Sequence, residues 1–141
     1  MTFESNDALK DLPALSRRYI QILDQTLTRY QLSSSLYYYL IKLHQFGPMP
    51  QERMVQLTGV NPSNVTRAVK QLIDLGYLTK HANPNDRRGF VLTLTDSGTE
   101  ICPALLDCLA LAQQQFLAPL AVDEQAQFKL LLQKMADAPK E

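Results

Sequence analysis

The segment from Gln51 to Leu78 constrains the fold of this 141-residue chain more than any other. A short helix, about Gln51 to Thr58, would bury Met54 and Leu57 and stop at Gly59. Asn61 then stands where a helix N-cap is favoured and Pro62 at the first helical position, opening a second helix that buries Val65, Val69 and Leu72 and ends near Leu75-Gly76. Two helices this close must turn sharply, which Gly59 permits, and must pack Val65, Val69 and Leu72 on Met54 and Leu57. That is a helix-turn-helix pattern.

The next segment reads as a hairpin. Tyr77 to His81 and Phe90 to Leu94 are strand candidates, joined by the polar loop Ala82 to Gly89 with Asp86, Arg87 and Arg88 at its tip. Before the unit, a helix from about Leu12 to Tyr30 carries the stripe Leu12, Leu15, Tyr19, Ile22, Thr26 and Tyr30. Ser33 caps the next helix, with Leu36, Tyr39, Leu40 and Leu43 inward, and Phe46-Gly47-Pro48-Met49-Pro50 stops it. After the hairpin, Thr95 caps a long helix to about Ala118, and Asp123 caps a last one with Phe128, Leu131 and Met135 on its stripe. The expected fold is mainly α with a small β-hairpin wing (α+β), in a single domain over 1–141.

Formal net charge is zero, which by itself argues against a nucleic-acid partner, but the charges are not spread evenly. Residues 1–41 are neutral. Residues 42–90 carry seven basic side chains (Lys42, Arg53, Arg67, Lys70, Lys80, Arg87, Arg88) against three acidic ones (Glu52, Asp74, Asp86), net +4, and residues 91–141 carry net −4. A cationic middle is a local footprint for an anionic partner. The exposed face of the second helix, near its N-terminus, holds Ser63, Asn64, Thr66, Arg67 and Lys70. Arg67 suits a bidentate pair with guanine, Asn64 one with adenine, and Ser63 or Thr66 a base edge or phosphate. The adjacent Arg87 and Arg88 suit a phosphate backbone or a narrow minor groove, with Asp86 able to orient an arginine. Helix-turn-helix and basic hairpin together make a winged helix.

At these residues the sequence resembles the MarR (multiple antibiotic resistance regulator) family of bacterial transcription factors. The matching segments are Leu57-Thr58-Gly59-Val60, Val65-Thr66-Arg67 with Leu72, Gly76-Tyr77-Leu78, and above all Asp86-Arg87-Arg88-Gly89-Phe90-Val91-Leu92-Thr93-Leu94-Thr95-Asp96-Ser97-Gly98. The last is similar to the family's wing signature, D-x-R followed by a strand and L-T-x-x-G. The resemblance implies a winged helix-turn-helix core over 32–98 and dimerisation helices over 1–31 and 99–141. It also implies a helix from Pro62 that reads a major groove, Arg88 entering the adjacent minor groove, and Asp86 bracing the wing. Where the family often has a basic residue before Leu72, this chain has Gln71. The brace would then be a neutral hydrogen bond, or come from Arg67 or Arg87.

Two reading heads on one duplex imply a homodimer on a pseudo-palindromic double-stranded operator. By resemblance the chain is a repressor released by a small aromatic or phenolic effector, with Arg17, Tyr19, Tyr37 and Tyr38 as candidate pocket residues beside Tyr39 and Arg18. Cys102 and Cys108 lie six residues apart on one helix, about 600° round its axis, and so cannot form an internal disulfide. Cys108 falls on the stripe with Ile101, Leu105 and Ala112, whereas Cys102, beside Pro103, is expected to kink the helix or pack at the dimer seam. Regulators in this family that respond to cysteine oxidation keep the reactive residue near the N-terminus, where this chain has none.

No run approaches the roughly 20 apolar residues of a membrane span, and the acidic N-terminus lacks secretory features. A cytoplasmic protein is expected, with no cofactor and no metal. An enzyme would have to be built from His44, His81, the cysteines and the tyrosines, without a phosphate loop or HExxH motif. The remaining alternatives are a winged helix whose basic face meets an acidic protein, and a regulator that responds to cysteine oxidation.

Overall fold

The computed structural model describes residues 7–139, apart from the side chain of Arg88. Along them run α1 (Leu12–Leu27), extended by a 3-10 turn over Thr28–Tyr30, then α2 (Tyr37–Phe46), β1 (Met49–Pro50), α3 (Gln51–Thr58) and α4 (Pro62–Asp74). The hairpin β2 (Leu78–Asn83) and β3 (Asp86–Leu94) comes next, then α5 (Asp96–Leu117) and α6 (Val122–Ala136).

The core gathers around α2 and α4. Leu36, just before α2, and Tyr39, Leu40 and Leu43 of α2 meet Met54 of α3, Val65, Val69 and Leu72 of α4, Leu78 and Leu92 of the hairpin, and Leu105 and Cys108 of α5. On α4 the buried positions are Val65, Ala68, Val69 and Leu72, one stripe at spacings of three and four. The helix starts where its cap chemistry places it, with the Asn61 side-chain oxygen accepting from the Ser63 N–H at 2.8 Å. Gly59 ends α3 in the left-handed region at φ 68°, the conformation that makes the turn short.

The winged core is joined to α5 at one tight seam. The Thr95 hydroxyl donates to the Gly76 carbonyl at 2.6 Å and accepts from the Gly98 N–H at 3.0 Å, and the Thr95 N–H donates to the Tyr77 carbonyl at 3.1 Å. The Tyr77 hydroxyl reaches back to the Tyr30 carbonyl at 2.9 Å. Gly98 lies so close to the Tyr77 carbonyl that a Cβ there would overlap its oxygen.

Several sequence expectations need correction. Ser33 does not cap α2. Its carbonyl accepts from the N–H groups of Leu36 and Tyr37, so a turn intervenes and the helix begins at Tyr37. Leu57 is 37% exposed, leaving Met54 as the buried contact of α3 with α4. On α1 the fully buried residues are Leu23 and Leu27, outside the stripe read from the sequence; of that stripe Tyr19, Ile22, Thr26 and Tyr30 are half-buried and Leu12 and Leu15 stay exposed. Ala121 takes the cap position of α6, its N–H donating to the Glu124 carboxylate at 2.8 Å, which places Asp123 inside the first turn. α5 continues through Pro103, and Cys102 is wholly buried, its Sγ 3.2 Å from the Gly98 carbonyl and 4.0 Å from that of Leu40. It packs against α2 rather than at an outer seam. Cys108 instead donates toward the Thr26 carbonyl of α1 at 3.5 Å, so the two thiols serve different contacts.

Among the described residues no single helix is long and apolar enough to cross a membrane.

Candidate nucleic-acid interface

α4 buries one stripe and exposes another. Ser63, Asn64, Thr66, Arg67 and Lys70 are all exposed, and they occupy the first two and a half turns, at and beyond the helix N-terminus, where backbone N–H groups favour an anion. Three hydrogen bonds organise this face. Gln51, at the start of α3, donates its amide N–H to the Thr66 hydroxyl at 3.1 Å, and that hydroxyl donates to the Pro62 carbonyl at 3.0 Å. The Arg67 guanidinium donates to the Asn64 side-chain oxygen, three residues back and one turn above.

The wing differs from the hairpin read in the sequence. Its strands are longer and its turn is only Pro84-Asn85, with the Asn85 N–H bonded to the Asn83 side chain at 3.0 Å. Arg87 and Arg88 therefore do not sit at a loop tip. Asn83 pairs with Asp86 and Ala82 with Phe90, so Arg87, Arg88 and Gly89 form a bulge of β3 with no counterpart on β2. A bulge pushes its residues out of the ladder and re-aims their side chains. Arg87 is exposed.

A strand that sequence reasoning missed anchors this wing. Met49-Pro50, read only as a helix stop, pairs with Leu92 and Val91 and makes β3 the central strand of the order β1-β3-β2. Two residues, one of them a proline and the other preceded by one, carry no periodicity from which a strand could be read. Gln51 was missed for a similar reason, because its partner Thr66 is fifteen residues away. The N-terminus of α4 and the wing border a common groove of about 620 Å³, lined by Gln51, Glu52 and Val55 of α3, Pro62, and Asp86, Gly89 and Phe90. The Lys80 ammonium stands 4.6 Å over the Phe90 ring on the same hairpin.

A second cleft, about 330 Å³, opens between α2 and α4. Ser35, Tyr38 and Tyr39 line one wall, and Asn64, Arg67 and Gln71 the other. Asp86 lines the first groove, whereas Arg67 and Gln71 line this one. The candidate effector residues are divided. Tyr38 belongs to this cleft, stacked on Tyr39 at 4.5 Å with their hydroxyls 3.3 Å apart. Tyr19 packs edge-on to Phe116 at 5.2 Å, and Tyr37 is within electrostatic reach of Tyr19. Burial raises the phenols of Tyr19, Tyr37 and Tyr39 above the ordinary value, keeping them neutral. Arg17 stands exposed on α1, while its neighbour Arg18 lies over the Phe116 ring at 6.0 Å. Burial likewise raises the Cys102 thiol.

Comparison with known proteins agrees with this geometry. Residues 32–90 match the model of the MarR family. The transcriptional repressor NicR of Pseudomonas putida is 26% identical over 122 residues, covering 86% of this chain and 77% of its own. Among solved structures, a mutant MarR from E. coli in complex with operator DNA superposes with a TM-score of 0.82 at 22% identity, over 96% of this chain and 98% of that one. BpsR of Bordetella bronchiseptica, whose DNA binding is regulated by 6-hydroxynicotinic acid, gives 0.81 at 24% identity over 91% of each. The winged core, the matched segment and the fold shared along nearly its whole length make the chain similar to the winged-helix transcriptional regulators of the MarR family.

Proposed function

We propose that this chain is a homodimeric, sequence-specific reader of double-stranded DNA, acting in the cytoplasm as a repressor on a pseudo-palindromic operator. One observation carries the reading: Pro62 at the start of α4 and Gly89 of the β3 bulge border a common groove, which sets a helix with an exposed polar face, fit for a major groove, beside a hairpin carrying an arginine pair, fit for the backbone or minor groove. Ser63, Asn64, Thr66, Arg67 and Lys70 face the major groove, Arg87 and Arg88 act from the wing, and Asp86 braces it. Residues 32–98 form the reading core, and 1–31 with 99–141 supply the dimer contact.

Release by a small aromatic effector extends this reading. The cleft between α2 and α4 supports it, because a ligand held against Tyr38 there would lie against Asn64 and Arg67 and so compete for reading residues. The repressor name of NicR and the regulation of BpsR by an aromatic acid point the same way. Release demands that the effector bind the DNA-free form more tightly than the bound form.

The test is a salt titration of binding to a selected duplex. Replacing Arg87 and Arg88 together by alanine is expected to weaken binding and to lower the slope of log affinity against log salt by about two, roughly one for each phosphate no longer neutralised. An unchanged slope would remove the wing from the DNA interface.

A further inference from the structure

We propose that Asn64 is a positioning residue for Arg67, so that the two read one guanine together and Asn64 does not read an adenine of its own. The inference rests on the DNA-reading function proposed above and deepens it.

The chemistry of the pair sets its orientation. A guanidinium has five N–H donors and no acceptor, so only the oxygen of the Asn64 amide can face it, and the amide NH₂ must turn away. Three residues apart on a helix, the two side chains are neighbours on one face. Arg67 thereby gives up one N–H and keeps four, enough for the two parallel bonds that guanine O6 and N7 accept. A long arginine side chain otherwise loses rotamer freedom on entering a groove, and a partner already holding it lowers that cost. A bidentate pair with adenine would need the same amide to offer oxygen and NH₂ side by side, so the one oxygen would have to accept from adenine with its second lone pair while its orientation is already set by Arg67. Thr66 is held in the same manner by Gln51 from the neighbouring helix, so the reading face is organised before any duplex arrives.

The test is selection of sites from a random duplex pool by the wild-type chain. Competition binding of single-base-pair variants of the winning site comes next, with wild type, Asn64→Ala, Asn64→Asp, Arg67→Ala and the Asn64→Ala/Arg67→Ala double variant. These positions are exposed, and circular dichroism checks each fold. Arg67→Ala is expected to abolish a guanine preference of roughly 5- to 150-fold in each half-site. Asn64→Ala is expected to weaken preference at that same base pair, with the double variant no worse than Arg67→Ala alone. Asn64→Asp keeps the acceptor and adds a negative charge, so it binds all sequences more weakly yet retains the guanine preference. If Asn64→Ala instead relaxes a separate A·T position and leaves the guanine preference intact, the proposal fails and the DNA reading stands. A wild-type chain that selects no consensus overturns both.

Discussion

α4 and α6 are helices of similar length with opposite fates in the single chain. α4 buries Val65, Ala68, Val69 and Leu72 and leaves polar side chains outside. α6 buries none of its residues, and Val122 (85%), Leu130 (71%) and Met135 (73%) stand open beside Leu131, Leu132 and Phe128. With the exposed Leu9, Leu12, Leu15 and Ile20 of the N-terminal region and Leu106 and Leu111 of α5, this is far more apolar surface than scattered exposed side chains explain. The winged core satisfies its own packing and offers polarity outward. The flanking helices offer apolar surface that a second copy would cover. On the function proposed above, one chain holds a complete reading head and half of a dimer contact.

The largest expected effect breaks the flanking half. Leu130→Glu with Leu131→Glu would leave the monomer fold intact but place charges in the proposed dimer contact. Sedimentation should show a monomer, and operator affinity should fall by on the order of 100-fold or more as two-headed binding disappears. An unchanged dimer would mean that α6 is not its contact. Next comes the seam of the finished half. Gly98→Ala drives a methyl into the Tyr77 carbonyl, and a loss of about 3 kcal/mol in urea unfolding is expected, because the obstacle is backbone and cannot rotate away. Thr95→Ala removes the α5 cap and the bond to Gly76 and should cost about 1 kcal/mol by the same measurement.

The smallest effect concerns pH. Burial holds the Tyr39 phenol above its ordinary value of 10.0, so the folded chain keeps a proton that the unfolded chain releases. The stabilisation is fully present below pH 10 and declines as pH rises through the raised value. Tyr39→Phe should therefore flatten the alkaline fall in stability, with little change in its shape near neutrality.

How much of this is legible in the sequence differs between the same two regions. α3 and α4 have the expected bounds because local chemistry sets them: Gly59 for the turn, Asn61 and Pro62 for the start, one apolar stripe for the core. Thr95 is readable for the same reason, whereas Gly98 enters only through the family's wing signature, because the carbonyl it must clear belongs to Tyr77. The place of Cys102 is not, because its burial depends on α2 packing across it, more than sixty residues away in sequence. The wing's arginines read as a loop tip because Pro84 and Gly89 both look like turn residues, whereas Gly89 closes a bulge. β1, the Gln51–Thr66 bond and the cleft behind Tyr38 all join distant segments, and no local pattern announces them.

The central claim is that two such heads read one duplex. Selecting sites from a random duplex pool with the wild-type chain, then titrating salt on the winner, tests it most directly. An inverted repeat with half-sites about 10 base pairs apart and a steep loss of affinity with salt is the expected result. A pool without consensus, bound weakly and released at moderate salt, would contradict it and leave the basic face to an acidic protein partner.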